Sequence, residues 1–396
     1  MRTAAGCKLF GAHQALSGIQ DAVVLLHSVV GCNFGSMTFH FACGHMEDVR
    51  QTCTVINDSD VVFSGERSLE EALWNVRELY APQWIFIVTG CVSDLIQDDV
   101  ATVARRFQQQ SGTRAIVVEA AGYRGDFQEG FESALLALAE EMEPSQPSLE
   151  PTVNILGFGA DDPRLTYDLK ALAKLMEGKV RIGTAFAQCT SKEVRHAPQA
   201  GLNLVFGRGL TLAKEMNRRF GTPYVCLDYP CGLVGAKALW HSLSQQFGLD
   251  FSKEEQAFRA FTRDGAVPVY SYLQALHGMP AAVVATTARS RGLAAFLSQE
   301  LGVCVEVQAQ RESIQDLEKL YDQIRQSEAT FLLGSSFEQE IADALNLPLL
   351  RVDYPVFDRV CLTDRPYIGA RGTLCLLEDL LDEIFHARTW KGATYQ

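Results

Sequence analysis

The stretch Trp84-Ile85-Phe86-Ile87-Val88-Thr89-Gly90-Cys91 is an apolar run that ends in a glycine and a cysteine. A short apolar run that is followed by a turn signal predicts a buried strand. In an open α/β sheet, ligands bind at the carboxyl ends of the strands. The stretch therefore predicts a strand of an α/β fold, with Cys91 at a position that suits a ligand site.

Two more cysteines near the start of the chain also follow glycines: Cys7 follows Gly6, and Cys32 follows Gly31. Glycine lets the backbone approach a bulky inorganic group, and backbone amides donate hydrogen bonds to cluster sulfur. Thiolates are the natural ligands of iron–sulfur clusters. Free cysteines are also common as small buried hydrophobic side chains. The spacing alone leaves both interpretations open.

Four short motifs follow one another in the first hundred residues, and they lie at 7–12, 27–32, 62–66 and 89–99. Their order is similar to that of the nitrogenase component 1 family, which has a Cys with Gly-Ala shortly after it, His-Gly-x-x-Gly-Cys, a Phe-Gly-Gly-like element, and Thr-Thr-Cys with a tail ending in Asp-Asp. This sequence departs from the pattern at four positions: Ser28 and Ser64 replace glycines, Gly90 replaces a threonine, and Gln97 replaces a glycine. The resemblance implies three Rossmann-like domains and an iron–sulfur cluster held between two homologous subunits.

The C-terminal part of the chain extends the resemblance. Pro355-Val356-Phe357-Asp358-Arg359 and Tyr367-Ile368-Gly369 resemble the Pro-x-Phe-Asp-Arg and Gly-Tyr-x-Gly elements of the beta-type subunit. The resemblance implies that Cys7, Cys32 and Cys91 supply this chain's share of a P-cluster-like centre, 8Fe–7S or 4Fe–4S. It further implies a homologous alpha-type partner in a heterotetramer of two subunits of each type. An ATP-hydrolysing iron protein would dock transiently and deliver electrons.

Within the family, the sequence looks most similar to the beta-type subunit of the nitrogenase-like methylthio-alkane reductase, which cleaves carbon–sulfur bonds. Cys7 lies close to the N-terminus, and we therefore expect a substrate other than dinitrogen. Three alternatives stay open: a scaffold for cofactor maturation, a tetrapyrrole-reducing member of the family, and a structural paralogue without metal.

Composition restricts the class of protein. The chain has 396 residues, 47% of them hydrophobic, and a mean hydropathy of +0.01, so it is expected to bury cores in more than one domain. No apolar run approaches the roughly 20 residues of a membrane helix, and we expect a cytoplasmic protein without membrane partners. Eleven cysteines then favour reduced thiols and metal over disulfides. A net charge of -13 argues against nucleic-acid binding.

Short apolar runs alternate with helix-length amphipathic patterns, which predicts parallel sheets in three open α/β domains. A polar, proline-rich linker at 143–151 sets the first boundary. We predict domains at 1–150, 151–278 and 279–396. The segment from Gln14 to Val30 is predicted to be helical, and Val61-Val62-Phe63 is predicted to be a strand.

Roles can be assigned to several further residues. We expect structural roles for Cys43, Cys53, Cys226 and Cys231, and helix capping for Asp98 and Asp99. His40 and His45 are expected near the cluster of the first domain or at a subunit contact. His27 either tunes a cluster or satisfies a turn.

Two ligand side chains of the resembled family are missing from the corresponding motifs of this sequence. The stretch 120–125 stands where nitrogenase beta subunits have a serine that ligates the oxidised cluster, and its Gly122 has no hydroxyl, which leaves a backbone amide or the neighbouring Tyr123 as the alternatives. Ala213 stands where alpha-type subunits have the cysteine that holds the substrate-reducing cofactor. We therefore expect no catalytic residues in this chain.

Overall fold

The computed structural model describes residues 6–42, 50–314 and 316–389. Helices and strands alternate along these ranges. The α-helices are α1 (Lys8–Leu16), α2 (Val30–Ala42), α3 (Asp58–Phe63), α4 (Glu66–Tyr80), α5 (Cys91–Leu95), α6 (Val100–Ser111), α7 (Phe127–Ala137), α8 (Leu165–Leu175), α9 (Ser191–His196), α10 (Leu210–Phe220), α11 (Gly232–Phe247), α12 (Ser252–Ala266), α13 (Tyr270–Leu276), α14 (Thr287–Glu300), α15 (Leu317–Gln326), α16 (Gln339–Leu345) and α17 (Gly369–Thr389). The strands are β1 (Ala22–His27), β2 (Gln51–Cys53), β3 (Trp84–Thr89), β4 (Arg114–Glu119), β5 (Thr152–Leu156), β6 (Arg181–Ala185), β7 (Leu202–Val205), β8 (Tyr224–Cys226), β9 (Pro280–Ala285), β10 (Cys304–Gln310), β11 (Phe331–Gly334) and β12 (Leu349–Arg351).

The strands form three four-stranded sheets with the orders β2-β1-β3-β4, β6-β5-β7-β8 and β10-β9-β11-β12. The neighbouring strands pair in parallel in the first and third sheets, and β5 pairs in parallel with β7 in the second. In each sheet the first strand of the chain lies between the second and the third. The prediction of an α/β fold with three open parallel sheets is confirmed.

The chain divides into two compact units. Of the described residues, the first unit comprises 6–161 and 182–224, and the second comprises 162–181 and 225–389. The predicted division at 150 and 278 stays a prediction.

The first sheet separates two hydrophobic cores of the first unit. Val23 and Leu25 of β1 pack in one core, whereas Val24 and Leu26 pack in the other. Because successive side chains of a strand point to opposite faces, a strand covered on both faces is expected to be a nearly continuous apolar run. All six residues of β1 and of β3 are accordingly buried.

Two predicted elements were wrong. The segment from Gln14 to Val30 contains the end of α1 and the strand β1. A short, continuously apolar run fits a buried helix as well as a buried strand, and here pairing with β2 and β3 decides. Val61-Val62-Phe63 ends the helix α3, which begins with a capping box between Asn57 and Asp60.

None of the helices in the described ranges combines the length and the apolar character needed to cross a bilayer.

Candidate functional site

The three predicted cysteines each lie where a helix of the first unit begins. Cys7 is the N-cap residue of α1, Cys32 is in the first turn of α2, and Cys91 is the first residue of α5. The positive end of the helix dipole and the free N–H groups of a first turn favour a thiolate over a thiol. The sequence did not predict this shared feature.

The order of the first sheet explains why distant parts of the sequence meet here. His27 at the end of β1 is in register with Thr89 at the end of β3, which is in register with Glu119 at the end of β4. The segments that follow these three residues therefore leave the same edge of the sheet side by side. They carry Cys32, Cys91 and Gly122.

Gly122 lies between two of the cysteines. Its N–H donates to the Sγ of Cys91 over 3.1 Å. A Cβ at position 122 would lie 3.4 Å from the Sγ of Cys7 and 3.5 Å from the Sγ of Cys91. Both sulfurs therefore lie next to this backbone position, and a side chain there would crowd the Cβ of Cys7, which would be 3.1 Å away. The sequence indicated the missing hydroxyl and left a backbone amide open at this position, but it did not predict the hydrogen bond from this amide to Cys91.

The charges of the three thiols are coupled. Burial raises the pKa of the Cys7 thiol, and the thiols of Cys32 and Cys91 raise it further. The backbone amides of Phe10 and Leu9 act in the opposite direction. A thiolate at Cys7 is thus disfavoured mainly by burial and additionally by its two neighbours, and a nearby positive charge would favour it.

The accessibility of these thiols differs from that of the core cysteines. Cys7 is exposed, and Cys32 and Cys91 are partly exposed. Cys189 and Cys231 are fully buried, and burial raises the pKa of each of these thiols far above its usual value. A core thiol of that kind is inert, whereas the first three thiols are open to a ligand.

Within the described residues, no three His, Cys, Asp or Glu side chains surround a point that would hold a single metal ion. An iron–sulfur cluster uses a different iron for each cysteine, so its thiolates need not converge on one point. The donor set and the glycine amide between the sulfurs fit such a cluster.

The stretch 120–125 offers the site an amide and not a hydroxyl. The hydroxyl of Tyr123 donates to the carboxylate of Asp94, which also accepts a hydrogen bond from Arg124 over 2.8 Å. Tyr123 is thus held by a salt-bridged carboxylate on the outside of the first unit.

Asp98 and Asp99 have different roles, and the capping assignment holds for only one of them. Asp99 is the N-cap residue of α6 and accepts from the N–H of Thr102. Asp98 instead accepts from His27, and its contacts lie at the same sheet edge as the cysteines. The capping prediction for Asp98 was wrong because the sequence did not reveal that β1 ends beside this turn.

An apolar surface lies next to that turn. Val61, Val62 and Phe63 form the exposed end of α3, which we call the apolar tip; 72% of Val62 and 83% of Phe63 are exposed. Large side chains with this exposure mark an interaction surface when they occur together. This surface was not predicted from the sequence, because the three residues were assigned to a buried strand.

Among the described residues, His40 and Cys53 do not form a metal site with the three cysteines. His40 is buried beside His13, with ring centroids 5.7 Å apart. The Sγ of Cys53 lies 3.3 Å from the carbonyl oxygen of Ser28. Cys43 and His45 lie outside the described residues.

Ala213, the residue at the place of the alpha-type cysteine, is completely buried in α10. In the second unit, Cys226 is exposed and Cys231 is buried. These two thiols therefore differ in accessibility although they are close in sequence.

Comparison with known proteins gives a consistent result. The sequence model of the family described as "Nitrogenase component 1 type Oxidoreductase" matches residues 7–385. A nitrogenase molybdenum-iron protein beta chain from Methanococcus maripaludis is 23% identical over 445 residues, which cover 97% of this chain and 95% of the relative. The nitrogenase iron-molybdenum cofactor biosynthesis protein NifE from Clostridium pasteurianum is 26% identical over 230 residues, or 56% of this chain and 50% of the relative.

The fold is also similar to that of a solved structure, "Nitrogenase Cp1 at pH 6.5". The TM-score is 0.84 at 18% identity, and the similarity covers 100% of this chain and 95% of the other.

Proposed function

This chain belongs to the nitrogenase component 1 type oxidoreductase family, and we propose that it is the beta-type subunit of a nitrogenase-like reductase complex. The similarity to a molybdenum-iron protein beta chain over nearly the whole of both chains supports the beta-type assignment. The observation that carries the proposal is the arrangement of Cys7 and Cys91 around the backbone of Gly122, with Cys32 beside them.

In this proposal Cys7, Cys32 and Cys91 hold the subunit's share of a P-cluster-like centre, 8Fe–7S or 4Fe–4S. A bound iron–sulfur cluster supplies one-electron transfer. The chain contributes three thiolates at helix N-termini and an amide donor to the sulfur of Cys91. The exposure of Cys7 and the partial exposure of Cys32 and Cys91 support a cluster that is shared with a second subunit.

Two partners are part of the proposal. A homologous alpha-type subunit shares the cluster in a heterotetramer and holds the active-site cofactor. An ATP-hydrolysing iron protein docks transiently and delivers electrons. The apolar tip at 61–63 supports a protein partner near the cysteines, because Ser64 and Gly65, which follow its exposed side chains, are hydrogen-bonded to Asp98 in the turn after Cys91.

We further propose reductive cleavage of a carbon–sulfur bond in a methylthio-alkane as the reaction of the complex. The experiment is anaerobic reconstitution of this chain with its alpha-type partner and iron protein, with a methylthio-alkane as substrate and thiol and hydrocarbon as measured products. We expect ATP-dependent turnover that is lost in Cys32→Ala and kept in Cys304→Ala, a variant of an exposed cysteine in the second unit. Turnover of dinitrogen or a tetrapyrrole, without carbon–sulfur cleavage, would contradict this substrate.

A scaffold for cofactor maturation is the second candidate, and the similarity to NifE supports it. The two functions differ in what leaves the protein. A reductase releases reduced product over many turnovers, whereas a scaffold transfers iron to an acceptor protein and loses its own metal. Measuring both product and protein-bound iron over the same time course separates them.

A further inference from the structure

Asp98 lies where three segments of the first unit meet. One carries the apolar tip, one is the turn that follows Cys91, and one is the end of β1 that leads to Cys32. We propose that Asp98 is a positioning residue that connects the apolar tip to the two cysteine turns, so that a protein bound to the tip acts on the cysteines through this carboxylate. The proposal rests on the proposed function for the identity of that protein, the iron protein reductase.

On one side, the carboxylate of Asp98 holds the residues that follow the tip. Its Oδ1 accepts from the hydroxyl of Ser64 over 2.8 Å and from the N–H of Gly65 over 3.0 Å. Because Ser64 directly follows Phe63, a displacement of the tip changes these two hydrogen bonds first.

On the other side, the carboxylate holds the end of β1. Its Oδ2 lies 3.0 Å from the Nε2 of His27, and neither side chain is exposed to solvent. The carbonyl oxygen of His27 accepts from the N–H of Gly90 over 3.0 Å and from the hydroxyl of Ser93 over 2.8 Å. His27 therefore contacts both residues that flank the start of α5, where Cys91 lies.

The hydrogen bonds of His27 have a defined direction. Burial lowers the pKa of His27 more than Asp98 raises it, so the ring is neutral at pH 7. A neutral ring that donates from Nε2 to Asp98 must accept at Nδ1, which lies 3.1 Å from the hydroxyl of Thr54. The ring thus links Asp98 to the segment after β2 in a single tautomer.

The backbone around Asp98 is held under strain. Ser64 has φ 89° and Gln97 has φ 58°, both in the left-handed region that residues other than glycine rarely adopt. Such conformations persist where surrounding contacts hold them. A Cβ at Gly65 would lie 2.7 Å from the Oδ2 of Asp98, so the close approach of the two segments also requires glycine at this position.

The structural alternative is that Asp98 only stabilises the fold. If Asp98 only stabilised the fold, its substitution would lower the free energy of unfolding by the same amount whether or not a protein occupies the tip. A positioning role predicts in addition that the cluster responds to docking through Asp98, and that response is measurable apart from activity.

The test uses the assembled complex with three variants. Asp98→Asn keeps the size of the side chain, but its NH2 group cannot accept a hydrogen bond on the side that it faces. Ser64→Ala removes a contact on the tip side only. Asp99→Asn is the matched control, because it removes the neighbouring carboxylate, which caps α6 and is fully exposed.

The first measurement is amide hydrogen exchange in the complex without iron protein. We expect Asp98→Asn to speed exchange roughly tenfold or more in both 61–66 and 90–97, because charge-assisted hydrogen bonds are lost on both sides. Ser64→Ala should affect only 61–66, and Asp99→Asn only the start of α6. Faster exchange in just one of the two segments of Asp98→Asn would overturn the linkage.

The second measurement is the midpoint potential of the cluster, read by electron paramagnetic resonance with and without bound iron protein. We expect docking to shift the potential in the wild type and in Asp99→Asn, and to leave it unshifted in Asp98→Asn with unchanged iron content. A full shift in Asp98→Asn would overturn the proposal. A wild-type complex that binds no iron protein would instead overturn the proposed function, and hydrogen exchange would still decide the linkage.

Discussion

The amide nitrogen of Gly122 lies 3.1 Å from the Sγ of Cys91. This contact joins the end of β4 to the end of β3, and the space that a side chain would need at position 122 is taken by Cys7, whose Cβ would be 3.1 Å away. The thiolates and the backbone of the site therefore depend on each other, which makes Gly122 a direct test of the site.

We predict that Gly122→Ala lowers the iron content of the purified complex, because the added methyl group would lie 3.1 Å from the Cβ of Cys7 and would displace this cysteine. Gly31→Ala is the control: it lies next to Cys32, but a Cβ there meets no atom within 4 Å. Iron quantification checks both variants. Full iron content in Gly122→Ala would show that the sulfurs are not held as described.

Tyr123→Phe is expected to leave the electron paramagnetic resonance spectrum of the oxidised complex unchanged. The hydroxyl of Tyr123 donates to Asp94, beside the ion pair between Asp94 and Arg124, and is not directed at the cysteines. A changed oxidised spectrum with unchanged iron content would assign the phenol oxygen to iron. The same measurement on Tyr123→Leu separates loss of the hydroxyl from loss of the ring.

Stability is expected to decrease in mild acid because of two buried histidines. Burial lowers the pKa of His13 to about 3 and that of His40 to about 4, from 6.5 in an unfolded chain. Below pH 6.5 the unfolded chain therefore binds more protons than the folded chain, so the free energy of unfolding falls as the pH drops from 6.5 towards 4. Above pH 6.5 these two histidines do not contribute to the pH dependence of the free energy of unfolding.

The slope approaches roughly 1.4 kcal/mol per pH unit for each histidine. Urea unfolding of the purified chain at several pH values measures it, and His13→Gln should reduce the slope between pH 6 and 5. An equal slope in wild type and variant would show that His13 is protonated in the folded state as well.

Arg289→Met is predicted to destabilise the second unit by about 3–5 kcal/mol. The buried guanidinium of Arg289 lies 3.0 Å from Asp162 and 3.4 Å from Asp353, and its removal leaves two buried carboxylates without that cation. The control is Arg67→Met, which breaks an exposed pair with Glu71 and should cost less than about 0.5 kcal/mol. Urea unfolding, monitored in the second unit for Arg289→Met, measures the loss in free energy of unfolding for each variant. Equal losses in the two variants would contradict the role assigned to burial.

Sequence patterns predicted the strands whose apolar runs are bounded by turn signals. Trp84 to Val88 lies within β3, and the run at 115–118 lies within β4. The apolar run before His27 was assigned to a helix because it is buried on both faces and shows no alternation. The apolar tip was assigned to a strand because its residues are β-branched and aromatic, although they are exposed at the end of a capped helix.

The candidate cysteines were found from local motifs, but their surroundings were not. Gly122 meets Cys91 across 31 residues of sequence, and Asp98 meets His27 across 71, only because the order β1-β3-β4 brings the ends of these strands together. A motif does not encode such contacts. They follow once the register of Thr89 with both His27 and Glu119 is known.

The central claim is that Cys7, Cys32 and Cys91 bind iron for this subunit. The most direct test is iron and acid-labile sulfide quantification, with electron paramagnetic resonance, on the anaerobically purified complex of wild type and of the three single alanine variants. Cys304→Ala, an exposed cysteine at the start of β10, is the control. We predict wild-type iron in Cys304→Ala, loss of iron in all three variants, and the largest loss in Cys32→Ala. Unchanged iron and an unchanged spectrum in Cys7→Ala, Cys32→Ala or Cys91→Ala would contradict the account.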